Sequence, residues 1–288
     1  MVWFLFAGLV ALFESSKDVF SKKGLKNINE YVVSWSSHLF ALPFILPLLL
    51  FIQIPVLGSV FFPALIIGGG LNVLTTILYM KAIKSSDLSI TVPMVTFTPL
   101  FLLLTSPLLV GEFPSFLGVV GILTIVCGMY LLNIKNGAKG KLAPFKAVLK
   151  EKGPKLMLLV AFIWSVTSNF DKIGIQNSSP IFWIAARTVF IVCAMLPVLL
   201  YTVNKKDIRN QLIRLRSLFP IGLCAALAET LQMIAISLTL VAYVISIKRS
   251  SAVISVIFGK FIFNEAVTKW RVIGAVTMVL GVALIALS

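Results

Sequence analysis

Uninterrupted apolar runs of nearly membrane-spanning length recur along this chain and leave few folds open to it. Leu39–Ile52, Val119–Leu132 and Val272–Leu287 contain no charged residue. A helix crossing a hydrocarbon core of about 30 Å needs about 20 mostly apolar residues. Backbone in lipid must satisfy its own hydrogen bonds, which leaves helices or closed barrels. A barrel would show alternation in segments of about ten residues, and these runs do not alternate. Composition agrees: 59% of the residues are apolar and 12% charged, against about 45–50% and about 25% in soluble domains. The chain is therefore expected to be an all-α membrane protein, with the bilayer as its principal partner. The net charge of +15, which in a soluble protein would point to nucleic acid, is assigned to loops instead, and no nucleic acid is expected.

Ten transmembrane helices are predicted, over 2–20, 31–53, 62–83, 88–110, 114–134, 155–174, 180–203, 218–240, 243–263 and 267–287. The first is read as retained, because no Lys or Arg precedes Lys17 and a secretory signal has a basic start. A Lys-rich linker, 135–154, separates a first five-helix repeat, 1–134, from a second, 155–288. The halves resemble each other. A shift of 150 lays Ser15, Phe20, Lys22, Gly24 and Asn27 over Ser165, Phe170, Lys172, Gly174 and Asn177. A shift of 157 lays Asn72 over Glu229, and one of 153 lays Glu112, Gly121 and Gly128 over Glu265, Gly274 and Gly281. Five spans per repeat force the second half into the membrane from the opposite side. Such inverted-topology repeats typify secondary transporters, with the substrate site near the midplane.

Connections after the odd-numbered spans hold twenty of the 25 Lys and Arg residues; the other side holds Lys172, Lys248 and Arg249. The positive-inside rule then places both termini outside, in a multi-pass protein of a prokaryotic plasma membrane. Cys127, Cys193 and Cys224 lie in apolar runs without metal-ligand spacing and are expected to be small buried side chains.

Ionisable groups inside spans are costly and are functional candidates by default. Glu14, Lys17 and Asp18 share one face of the first helix, either as an internally neutralised cluster or as working groups. Glu229 and Gln232 share a face of span 8, opposite Asn72 and Thr75 in the repeat. Glu229 is either a proton-coupling group or the partner of Arg187 or Lys17 in a structural salt bridge; Glu14 is the second proton-coupling candidate. Arg187 neutralises Glu229 or binds an anionic substrate group through its planar fork. His38, the only histidine, suits proton transfer or hydrogen-bonded packing. Trp164, Ser165, Thr167, Asn169 and Tyr79 offer an aromatic face and neutral hydrogen bonds suited to a mostly apolar pocket. The cavity set is thus Glu14, Lys17, His38, Asn72, Tyr79, Trp164, Asn169, Arg187, Glu229 and Gln232. No phosphate-binding loop, HExxH, Cys/His ligand set or nucleophile motif is present, so neither cofactor, metal nor enzymatic activity is expected.

With Gly111-Glu112 followed by Gly118, Gly121 and Gly128, with Asn264-Glu265 followed by Gly274 and Gly281, and with Pro93 and Pro99 in span 4, the chain resembles the drug/metabolite transporter superfamily, EamA type. Asn264 replaces the usual glycine, and the common Arg near the start of span 2 is absent. The resemblance implies a basket of eight helices around a central cavity, with spans 5 and 10 outside it as a stabilising or dimerising pair. Gly121, Gly128, Gly274 and Gly281 fit close helix packing there, and a homodimer would form through those spans. Glu112 and Glu265 are expected to cap or brace a helix start. The expected function is secondary active transport of small amino-acid-like or amphipathic metabolites, exported by alternating access and coupled to protons. The alternatives are a phosphate-ester or nucleotide-sugar exchanger, and a membrane enzyme acting on lipid-linked substrates.

Overall fold

The computed structural model describes residues 2–24, 29–86, 91–132, 151–203, 219–263 and 268–288. Every regular element among them is helical. They are α1 (Val2–Gly24), α2 (Glu30–Ile45), α3 (Phe61–Ser85), α4 (Thr98–Val110), α5 (Phe116–Leu132), α6 (Lys152–Gln176), α7 (Pro180–Thr202), α8 (Phe219–Leu238), α9 (Val241–Arg249), α10 (Ser251–Phe263) and α11 (Lys269–Ala286). Most of the 135–154 linker, Asn264 and Glu265 lie outside the described residues.

Among the described residues, seven stretches are long and apolar enough to cross a membrane: 31–51, 61–82, 152–176, 180–202, 219–238, 241–262 and 269–286. Two of the other expected spans are shorter apolar helices, 94–110 and 116–132. α1 has the length but contains Glu14, Lys17 and Asp18. Large apolar side chains such as Leu108 and Phe116 face outward at 84% and 86% exposure. Outward apolar surface on this scale belongs in lipid.

Local chemistry sets the ends. Asn29 caps α2 by accepting from the Tyr31 N–H, and Ser179 caps α7 by accepting from that of Phe182. Pro47 stands where α2 tightens into a 3₁₀ turn over Leu46–Phe51. A second 3₁₀ turn, Val92–Phe97, leads into α4. Gly111 ends α4 at φ 67°, a left-handed conformation that glycine adopts without steric cost.

The helices gather into two compact units, and each draws on both halves of the sequence. One comprises residues 2–73 and 170–238, the other 74–169 and 239–288 with Met1. In the first, α8 packs on α1, α2 and α7, and α2 on α7. The Trp35 indole donates to the Val192 carbonyl at 3.0 Å, and Val32, Val33, Leu199, Val203 and Ile221 form a core there. In the second, α5 packs along α11 and α9 lies against α4 and α5. A Cβ on Gly121 would stand 2.9 Å from the Gly281 carbonyl oxygen, and one on Gly128 2.7 Å from that of Gly274. Only hydrogen at these positions lets the two backbones touch.

Two expectations change. Cys224 is buried, but Cys127 and Cys193 are exposed; an apolar run does not say which of its faces meets lipid. The charge count assigns Lys248 and Arg249 to a connection although the expected span 243–263 contains them, and they belong to no connection. They sit inside the 241–262 span, at the one-residue interruption (Ser250) between α9 and α10.

Candidate functional site

Two carboxylates of the first unit, Asp171 and Glu229, converge on Arg187. α7 carries it inward, where it is 7% exposed. Its Nη1 meets Asp171 Oδ2 of α6 at 2.7 Å and its Nη2 meets Glu229 Oε2 of α8 at 2.9 Å. Asp171 also accepts from the Trp183 indole at 2.9 Å, so both its oxygens are engaged. Trp183 is fully buried and lies against Gly174, where any Cβ would collide with the ring. Gly174 is one helical turn beyond Asp171, so a missing side chain on α6 seats the donor that holds the carboxylate. His38 of α2 completes the chain: its Nδ1 stands 3.7 Å from Glu229 Oε1, beyond hydrogen-bond range but well within Coulombic reach. On α1, Lys17 donates to Glu14 at 2.7 Å, an i,i+3 pair that neutralises itself.

Electrostatics define what the cluster can do. Asp171, Arg187 and Glu229, all ionised, sum to one negative charge. Uncompensated charge away from water is costly. One proton, taken by Glu229 or His38, brings the sum to zero. Breaking either ion pair alone leaves a buried carboxylate without its cation, so Arg187 ties the three helices together.

The remaining predicted residues separate. Gln232 is buried one turn after Glu229 on α8, and Asn72 returns its amide to the Gly68 carbonyl of α3 at 2.9 Å. Asn169 belongs to the second unit and is fully buried. Its amide nitrogen donates to Thr105 Oγ1 at 3.0 Å and to the Ser165 carbonyl at 2.9 Å, and its oxygen accepts from Ser106 at 2.8 Å. That is a brace between α4 and α6. Tyr79 and Trp164, also of the second unit, stack at 5.9 Å. Arg249 lies over the Trp164 ring at 5.6 Å and donates to Thr98 at 3.1 Å. Glu112 accepts from the Val241 N–H at 2.7 Å, bracing the start of α9. Among the described residues no group of His, Cys, Asp and Glu could hold a metal ion.

Asp171, Trp183 and Arg249 were missed by sequence reasoning. Asp171 had a signal: it is the only acid within 155–174, and the rule applied to Glu14 and Glu229 applies equally to it. Trp183 had none, being one of many aromatic residues in apolar helices. Arg249 was masked by its assignment to a connection.

A solved crystal structure of a protein 16% identical to this chain covers 99% of it and 96% of its own length at a TM-score of 0.77. At that identity the likeness establishes the fold alone. No curated protein matches. The EamA-like transporter family matches residues 1–134 and 151–287. Apolar helices of spanning length, a charged cluster inside them and family matches over both halves lead to one assignment: the chain is an integral, multi-pass membrane protein that belongs to the EamA-like transporter family.

Proposed function

We propose that the protein is a secondary active transporter that carries small amino-acid-like or amphipathic metabolites by alternating access, in the export direction, with Glu229 as its proton-coupling group. The observation that supports this is the Asp171–Arg187–Glu229–His38 chain. It holds one negative charge among buried groups and can be neutralised by a proton. Glu14 is the weaker coupling candidate, because Lys17 already balances it. The reading includes a five-plus-five inverted repeat in a prokaryotic plasma membrane with both termini outside. The glycine faces of α5 and α11 are occupied by each other within one chain, so a homodimer would use other faces of those helices.

The test is reconstitution into liposomes carrying an internal pH dye, with amino acids, amines, nucleosides and phosphate esters as substrates. Substrate-driven proton movement abolished by Glu229→Gln is expected. Flux without proton movement, unchanged in Glu229→Gln, would make the protein a facilitator or exchanger.

A phosphate-ester exchanger is the second reading. It is favoured by Lys248 and Arg249 at the interruption of a spanning segment, since discontinuous helices at membrane depth accompany ion and substrate sites. Competition of flux by phosphate esters but not by free amino acids would establish it.

A further inference from the structure

The two carboxylates on Arg187 differ in exposure and in distance from it. Asp171 is 5% exposed at its side chain and accepts from two donors, Trp183 Nε1 and Arg187 Nη1. Glu229 is 17% exposed at its side chain and meets Arg187 through one nitrogen, at the longer distance of 2.9 Å. The neighbourhood also contains polar atoms with nothing to bond. Arg187 Nε and His38 Nδ1 are both buried and have no hydrogen-bond partner among the described residues. Such atoms are uncommon in folded proteins and each calls for an explanation. Nε–H can only donate. The missing group is therefore an acceptor, and an ammonium, which brings only donors, would leave Nε as it is. In the planar guanidinium Nε and Nη2 share one edge, the fork that takes a carboxylate in two parallel bonds. Glu229 now occupies Nη2 of that edge.

We infer that Arg187 exchanges the Glu229 carboxylate for the carboxylate of a small-molecule substrate as Glu229 takes up a proton, with Asp171 as the fixed positioning residue. This rests on the proposed reading of the protein as a proton-coupled carrier and names the substrate group that its site recognises. The charge accounting selects the stoichiometry. Entry of a carboxylate alone would take Asp171, Arg187, Glu229 and ligand to two negative charges among buried groups, which the low dielectric opposes. Entry with one proton on Glu229 leaves the sum at one negative charge, unchanged from the empty site. The other ionisable groups around Glu229 are His38 on α2 and, on α1, Lys17 with its acidic neighbours Glu14, paired to it at 2.7 Å, and the exposed Asp18. Carboxylate and proton therefore bind together and would be carried in the same direction, so that export runs down the outward gradient of the carboxylate and takes a proton with it.

The inference is tested by binding, independently of transport. The purified whole chain, in detergent free of added lipid, is titrated calorimetrically with acetate, benzoate and N-acetylphenylalanine, and with benzamide and benzylamine as neutral and cationic counterparts. Repeating each titration in buffers of different ionisation enthalpy counts protons. The carboxylates are expected to bind with uptake of one proton, tightening about tenfold per pH unit of acidification wherever that proton is linked; benzamide and benzylamine are expected not to. Glu229→Gln, which is neutral from the start, should bind carboxylates without proton uptake and without this pH dependence. Arg187→Gln should abolish binding, but it strands Asp171 and can unfold the protein, so Asp171→Asn is the companion variant. It retains an oxygen for Trp183 and, because it removes one negative charge, should leave carboxylate binding in place with less than one proton taken up. No binding by any carboxylate, equal binding of benzamide, or no proton uptake would overturn the inference. Binding with proton uptake but no flux in liposomes would instead overturn the transporter reading and leave this one standing.

Discussion

Replacing Gly128 with Ala tests whether α5 and α11 are held by backbone contact. A Cβ there would lie 2.7 Å from the Gly274 carbonyl oxygen and 2.7 Å from the Met278 nitrogen. Both are backbone atoms, so no side chain can rotate away. Restoring an ordinary contact of 3.4 Å requires the helices to part by about 0.7 Å. A radial gap of about 0.5–1 Å already forfeits a quarter to a half of each dispersion contact along the seam. Overpacking of this kind costs about 1–3 kcal/mol, offset by about 0.5–1 kcal/mol of helix propensity that alanine gains over glycine. Gly8 and Gly70 supply the control, because a Cβ at either meets nothing within 4 Å. Gly8→Ala and Gly70→Ala should thus be neutral or slightly stabilising, and Gly128→Ala destabilising by about 1–2 kcal/mol net. The assay is equilibrium unfolding in mixed micelles of rising denaturing-detergent fraction, followed by helical circular dichroism. A Gly128→Ala protein as stable as Gly70→Ala would refute the close-packed seam.

Three further outcomes are expected. Trp183→Phe removes one of the two donors to Asp171 and should cost about 1–3 kcal/mol of stability in the same unfolding assay; Trp183→His, which can restore an N–H, should recover part of it. Asn169→Ala deletes three buried hydrogen bonds; at about 0.6 kcal/mol for each in a membrane protein, the loss should be about 2 kcal/mol, and a loss under half of that would mean that Thr105 and Ser106 re-pair locally. Lys17→Met and Glu14→Leu should each destabilise by stranding the other's charge, whereas the double replacement should return close to wild type, a positive coupling in a double-mutant cycle that additive losses would exclude.

Much of the architecture was legible because lipid restricts the possibilities. Apolar runs in hydrocarbon must be helices, so α7, α8 and α11 could be placed to within a few residues by counting. The Lys17–Glu14 contact was equally legible, since residues three apart on a helix are neighbours whatever surrounds them. Span 4 was harder, because Pro93, Pro99 and Pro107 interrupt the ladder that a hydropathy window assumes is continuous. Charge counting failed at Lys248 and Arg249 for a related reason. A basic pair normally marks a connection and is counted as one although the expected span 243–263 contains it; only the folded chain shows that the helix is interrupted there.

The sequence by itself determined which segments are apolar enough for lipid, how far its two halves resemble each other, and which ionisable residues fall inside apolar segments. All of these follow from composition, period and local spacing. Tertiary structure alone decided how the helices group, with each compact unit drawing helices from both halves. It also decided which acid balances Arg187, since Asp171 and Glu229 are 16 and 42 residues away from it along the chain. The physical reason is that insertion is governed by transfer of each segment from water to lipid, a sum over its own residues. Pairing inside the bilayer is governed by close packing and charge satisfaction between helices, and neither of these is written in any one segment.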